Sequence, residues 1–146
     1  MKLIYKTAFI VSLALLVISC GNNTSEKKDE YNKLFHEILD VHDEVMPKMA
    51  DIPELSKQLQ KIADTTSSPI KYTEAEKKLK EADKHMMDWM HSFSDEFVKN
   101  KAKIQKMNNE QLQKRIDALE EELDDVKEMQ TKVDASIENA QNLIKN

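Results

Sequence analysis

Apolar residues recur along most of this chain at alternating steps of three and four, the pattern of a helix that buries one face. The first stripe runs Leu34, Ile38, Val41, Val45, Met49, Ile52, Leu55, Leu59 and Ile62. Pro47 and Pro53 interrupt it, and a proline inside a helix removes a hydrogen bond and crowds the preceding turn. Asp51-Ile52-Pro53-Glu54 reads as a fresh helix start, with Asp51 capping and Glu54 three residues on. The pattern predicts a kink or short break between Val45 and Asp51, with the stripe in phase on both sides. Asp64-Thr65-Thr66-Ser67-Ser68-Pro69 is the clearest turn.

A second stripe follows, from Tyr72 through Leu79, Met86, Phe93 and Phe97 to Ile104, flanked by Trp89. Asn108-Asn109 marks a weaker break, with either residue suited to cap a helix. The third stripe is nearly a strict heptad from Leu112 to Ile144, with Gln130 as its one polar member. A single polar core residue often fixes register. The predicted helices are about 29–64, 71–106 and 109–145. Their similar lengths predict an all-α fold: an antiparallel three-helix bundle, its first helix kinked near Pro47 and Pro53. The rival arrangement is a two-helix hairpin, with the second and third segments continuous, that assembles with other chains.

The N-terminus carries a different pattern. Lys2 and Lys6 precede an apolar run from Ala8 to Ile18, with Ser12 inside it, followed by Ser19 and Cys20. A basic start, an apolar stretch and small residues before a cleavage point form an export signal. The run is short of the roughly 20 apolar residues that a spanning helix needs. Val17-Ile18-Ser19-Cys20 resembles the lipobox of bacterial lipoproteins, in which the cysteine is lipidated and becomes the first residue of the mature chain. That resemblance implies a signal peptide over 1–19, lipid on Cys20, and a protein held on a membrane in the cell envelope. Residues 20–28 then read as a lipidated cysteine and polar tether, and 29–146 as the helical body.

Composition adds three points. Cys20 is the only cysteine, so no disulfide forms within the chain. The only glycine is Gly21, and the wealth of Glu, Lys, Gln, Leu, Ala and Met favours helix. The whole chain has 22 basic and 27 acidic residues; removing a signal with two lysines and no acid leaves a net charge near −7. Such a balance, with no basic patch evident, argues against nucleic acid and against electrostatic adhesion to anionic lipid. The lipid on Cys20 is then the whole attachment.

No glycine loop, nucleophile elbow, Cys-x-x-Cys-His or paired Glu-x-x-His pattern occurs, so an enzyme is not expected. One local enrichment stands out. The chain beyond residue 19 has seven methionines and four histidines, most within His42-Asp43-Glu44-Val45-Met46-Pro47-Lys48-Met49 and His85-Met86-Met87-Asp88-Trp89-Met90-His91. His42 with Met46, and Met87 with His91, stand four apart on one helix edge. Folding about residues 68 and 108 brings Met46 opposite His91, Met49 opposite Asp88 and Met87 opposite Met129. Thioether and imidazole together suit copper, with silver as its analogue. His42, Met46, Met49, Met87, Met90 and His91 are therefore the candidate metal ligands. The competing reading is packing, because methionine fills irregular core gaps and sits well against aromatic rings such as Trp89. Noncovalent haem held by His and Met is a more distant alternative. His36 and His85 fall off the core face and read as solvated.

The same two stretches, His-Asp-Glu-Val-Met-Pro-Lys-Met and Met-Met-Asp-Trp-Met, resemble segments of small lipoproteins of the Bacteroidetes group. Some of these carry the uninformative name "viral A-type inclusion protein". The resemblance implies lipidation and a coiled-coil or helical body, and no activity. The expected role is that of a non-enzymatic, membrane-anchored module that holds a partner protein or another copy of itself. Binding or buffering of copper is the alternative.

Overall fold

The structure, a computed structural model, describes residues 19–145, with side chains from residue 23 onward. The predicted signal segment, apart from Ser19, and the Cys20 side chain lie outside what it describes. The protein is all-helical, with no strand among the described residues. Helix α1 spans Ser19–Met49, α2 Ile52–Thr65, α3 Ile70–Phe93 and α4 Asn109–Lys145. A π turn at Ser94–Val98 and a 3-10 stretch at Lys101–Lys106 join α3 to α4. No helix among the described residues is long and apolar enough to cross a membrane.

The first predicted helix is two. α1 carries Pro47 inside its last turn and ends at Met49, and α2 starts at Ile52 with Pro53 in its first turn. Asp51 stands at the N-cap of α2, as expected, but its side chain caps nothing. Its backbone stays in the right-handed helical region (φ −80°, ψ −22°). A capping side chain needs the extended backbone that lets its oxygen fold back on the first-turn amides. Instead Asp51 N–H donates to Lys48 O and Leu55 N–H to Asp51 O, so the chain passes the break almost without leaving the helix.

Residues 20–28, read above as a tether, belong to α1. The reason lies in their neighbours. Thr24 bonds Asn109, Lys27 bonds Gln113, and Lys28 Nζ donates to Gln105 O at 3.0 Å. These polar ties hold a segment that has little apolar surface of its own. At the other break, the expectation is met. Asn108 N–H donates to Gln111 Oε1 (3.0 Å) and Gln111 N–H to Asn108 Oδ1 (2.9 Å), a reciprocal capping box that starts α4.

Helix directions follow from side-chain pairs. Lys48 with Asp134 and Gln130 with Glu44 are each 86 residues apart, and Lys127 with Glu37 is 90 apart. A near-constant offset means that α1 and α4 run side by side in the same direction. Trp89 meets Glu122 and Glu96 meets Arg115, so α3 runs opposite to α4. α2 packs against both α3 and α4. One continuous core results, with Ile38, Leu59, Leu79, Leu119 and Val126 fully buried. Each such side chain contributes about 1.5–3 kcal/mol on burial.

The α4 core departs from a strict heptad at one place. Met129 is buried, and Gln130 is half-buried with its amide donating to Glu44 Oε2 (3.1 Å). An unwound 3.6-residue helix drifts by about 20° per heptad against a strict repeat. The drift turns Gln130 towards α1's flank and puts Met129 in its place.

Candidate functional site

Five of the six Phe, Tyr and Trp rings among the described residues, all but Tyr72, gather in one column. Trp89, Phe93 and Phe97 stand four apart on successive turns of α3 and the π turn. Their ring centres are 5.0 Å (Trp89–Phe93) and 5.2 Å (Phe93–Phe97) apart. From α1, Phe35 meets Phe93 at 5.5 Å and Tyr31 stacks on Phe35 at 6.2 Å. His42 closes the column, its ring stacked on Trp89 at 5.8 Å. α1 and α3 thus meet chiefly through rings, and their backbones stay further apart than those of α1 and α4.

The π turn serves this column. Lys99 N–H reaches back five residues to Ser94 O at 3.0 Å, which widens the helix and lets both Phe93 and Phe97 face inward. The turn leaves carbonyls over, and side chains satisfy them. Asn100 Nδ2 donates to Asp95 O and Glu96 O, and Arg115 Nη2 donates to Glu96 O at 2.8 Å. The Arg115 guanidinium also lies 4.3 Å from the Phe97 ring centre, and Lys101 Nζ lies 4.5 Å from that of Phe35.

Three polar groups within the body are out of the ordinary. Trp89 Nε1 donates to Glu122 Oε2 at 2.9 Å. Burial pushes the Glu122 carboxyl above the usual carboxylate range; the Trp89 N–H opposes this, and nearby Asp125, Glu96 and Glu121 add to it. The Tyr31 hydroxyl is buried without a hydrogen-bond partner of normal geometry. Burial raises its pKa, with Arg115 pulling the other way. His42 pairs through Nδ1 with Asp43 Oδ1 at 2.9 Å, while its Nε2 is buried with no partner.

The six candidate ligands do not form the single layer expected from the sequence. The contacts Phe35–Phe93 and His42–Trp89 put residues whose numbers sum to about 130 at one height, where the sequence placed the sum near 137. Met46 is therefore level with residue 84, about 10 Å of helix rise from His91. Likewise Trp89–Glu122 and Glu96–Arg115 set Met87 level with Asp124 and not with Met129. The facing register is thus shifted by several residues at both reversals, and the second takes in the 3-10 stretch at Lys101–Lys106.

What remains together is smaller. His42 lies on the α1 face that meets α3, and helical rotation puts Met46 40° further round, on the outer side of that seam. Met90, next to Trp89 on α3, is half-buried and packs against the core. Met87 is 46% exposed and Met46 38% exposed. Met49 is half-buried near the end of α1, and His91 is exposed on another face of α3. Met86, on a predicted core stripe, is buried, and so is Met129, which the third stripe left out. His36 and His85 are exposed, as expected. His85 borders a groove of about 550 Å³ between α3 and α4, floored by Ala82, Ala135 and Ser136.

Chemically, the seam offers the unpartnered His42 Nε2 beside the Trp89 indole, with Met46 one helical turn further along α1. Among the described residues, no group of three or more His, Cys, Asp or Glu is placed to hold a metal ion. The ring column was missed by the sequence reading. Its signal was there, in aromatic residues four apart (Tyr31/Phe35, Trp89/Phe93/Phe97). No family model, curated protein or solved structure matches the chain.

Proposed function

We propose that this chain is a lipoprotein of the cell envelope, attached through lipid on Cys20, whose helical body serves as a non-enzymatic interaction module. In this reading, α1 and α2 together form one leg of a three-helix antiparallel bundle, with α3 and α4 as the other two. The observation that carries the proposal is the position of the sole cysteine. It sits at the first turn of α1, a 31-residue helix directly after the apolar export signal. The body beyond it has long charged helix faces, a chemistry suited to holding protein surfaces. The resemblance to small helical lipoproteins of the Bacteroidetes group agrees with this. The test is chemical cross-linking in intact envelopes, with the lipidated chain recovered through a tag. A discrete cross-linked partner or dimer is expected. Recovery of monomer alone at all cross-linker doses contradicts the interaction role.

A second reading is favoured by one observation, the buried and unpartnered Nε2 of His42. With Met46 and Met90 it would give a nitrogen and two sulfurs for a soft ion such as Cu(I) or Ag(I). Titration with Cu(I) against a competing chelator tests it, with Trp89 fluorescence as a second readout because the indole stacks on His42. Saturable binding that His42→Ala abolishes supports the site. Binding that is equal in the His42→Ala/Met46→Ala chain removes it.

A further inference from the structure

The acidic net charge hides a segregation of charge that only the fold displays. Residues 97–109 hold four lysines, Lys99, Lys101, Lys103 and Lys106, and no acid. All four are exposed. They lie on the reversal between α3 and α4, and that reversal packs beside the start of α1. Thr24 bonds Asn109, and Lys28 donates to Gln105 O. Thr24 is four residues from Cys20 and Lys28 eight, so the lysine-bearing cap sits within about 6–12 Å of helix rise from the anchoring cysteine.

Of the acids at this end, Asp95 pairs with Lys99 and so offsets one of the four, while Glu96 pairs with Arg115 and Glu110 with Lys114. Lys101 lies over the Phe35 ring and Lys103 donates to Asn100 Oδ1, so neither is matched by a carboxylate. On α1, Glu26 and Glu30 are turned about 160° away from Lys28 and the exposed Asp29 about 100°.

We propose that this cap is a seat for anionic lipid headgroups, which fixes the orientation of the rod on the membrane; the proposal rests on the lipid anchor at Cys20. The partner follows from charge complementarity and place. The lipid on Cys20 would hold the cap at about the range over which a charged surface acts, since the Debye length is about 8 Å at physiological salt. Lysines that close to an anionic leaflet are attracted to it, while the acidic remainder of the rod is repelled. The cap thus reverses the conclusion drawn from net charge alone, that lipid on the cysteine is the whole attachment.

The test uses the lipidated chain, purified from membranes and inserted into preformed vesicles of phosphatidylcholine, with or without phosphatidylglycerol. Ala102→Cys places a thiol on the cap, and Ser67→Cys one on the opposite turn. Labelling by a membrane-impermeant maleimide is then timed. At low salt the rate at residue 102 is expected to fall several-fold on anionic vesicles, with no change at residue 67. The difference should vanish at high salt and in the Lys101→Gln/Lys103→Gln/Lys106→Gln chain. Equal rates at residue 102 on both vesicles, with lipid on Cys20 verified by mass, overturn the seat and leave the anchor standing. A Cys20 without lipid overturns both.

Discussion

Phe93→Ala removes the ring at the centre of the aromatic column. Phe93 is buried and its ring meets three others, those of Phe35, Trp89 and Phe97, at centre distances of 5.0–5.5 Å. Core Phe→Ala substitutions cost about 3–5 kcal/mol, depending on how far the site collapses. Collapse is restricted here, because the neighbouring rings are held from two helices and α1 and α3 meet chiefly through them. We therefore expect a loss of about 4 kcal/mol, no less than the middle of that range. With a urea slope of about 1.5 kcal/mol/M for a domain of this size, the unfolding midpoint falls by about 2.7 M. Equilibrium urea unfolding, followed by circular dichroism and by Trp89 fluorescence, measures it. Phe93→Leu should recover roughly half of the loss, and the exposed Val98→Ala should stay within about 0.5 kcal/mol of the parent. A Phe93→Ala loss below about 1.5 kcal/mol would refute the argument that the column holds α1 to α3.

Three further outcomes follow. Glu122→Gln keeps an acceptor for Trp89 Nε1 and removes a carboxylate whose pKa burial raises. The native state holds the Glu122 proton more tightly than the unfolded chain, so its favourable contribution is present at low pH and is lost as pH rises through the raised pKa. Glu122→Gln should be at least as stable as the parent at pH 7, with the advantage disappearing below about pH 4.5 in pH-resolved unfolding. Met129→Ala should cost about 2–5 kcal/mol in the same assay and Met87→Ala less than about 0.5, because only the first is buried. Arg115→Lys should cost about 1–2 kcal/mol, because a lysine cannot pair with Glu96, cap its carbonyl and cover Phe97 at once. Equal stability of the lysine variant would contradict that triple role.

The helices were legible in the sequence because their apolar period is long and regular. α4 begins at Asn109, where Asn108 announced a cap, and the Ser67-Ser68-Pro69 turn separates α2 from α3. Three features were hidden for physical reasons. The helicity of residues 20–28 comes from polar ties to residues 105, 109 and 113, and no local pattern reveals such ties. The π turn at Ser94–Val98 depends on Asn100 and Arg115 taking up its spare carbonyls, one of them from another helix. The single Met/His layer failed on register. An error of two or three residues at each reversal shifts facing positions by twice that amount. His42 and Met46 stay one turn apart on α1, while His91 lies about 10 Å of helix rise from Met46's level. A net charge summed over the chain also cannot show that Lys99, Lys101, Lys103 and Lys106 collect on one reversal.

The central claim is that this protein is a lipoprotein held through Cys20. Mass spectrometry of the chain purified from the membranes of the cell that makes it tests this most directly. The account predicts a mature N-terminus at Cys20, carrying a diacylglyceryl group on sulfur. A chain that begins at Met1, or one with a free Cys20 thiol, contradicts it.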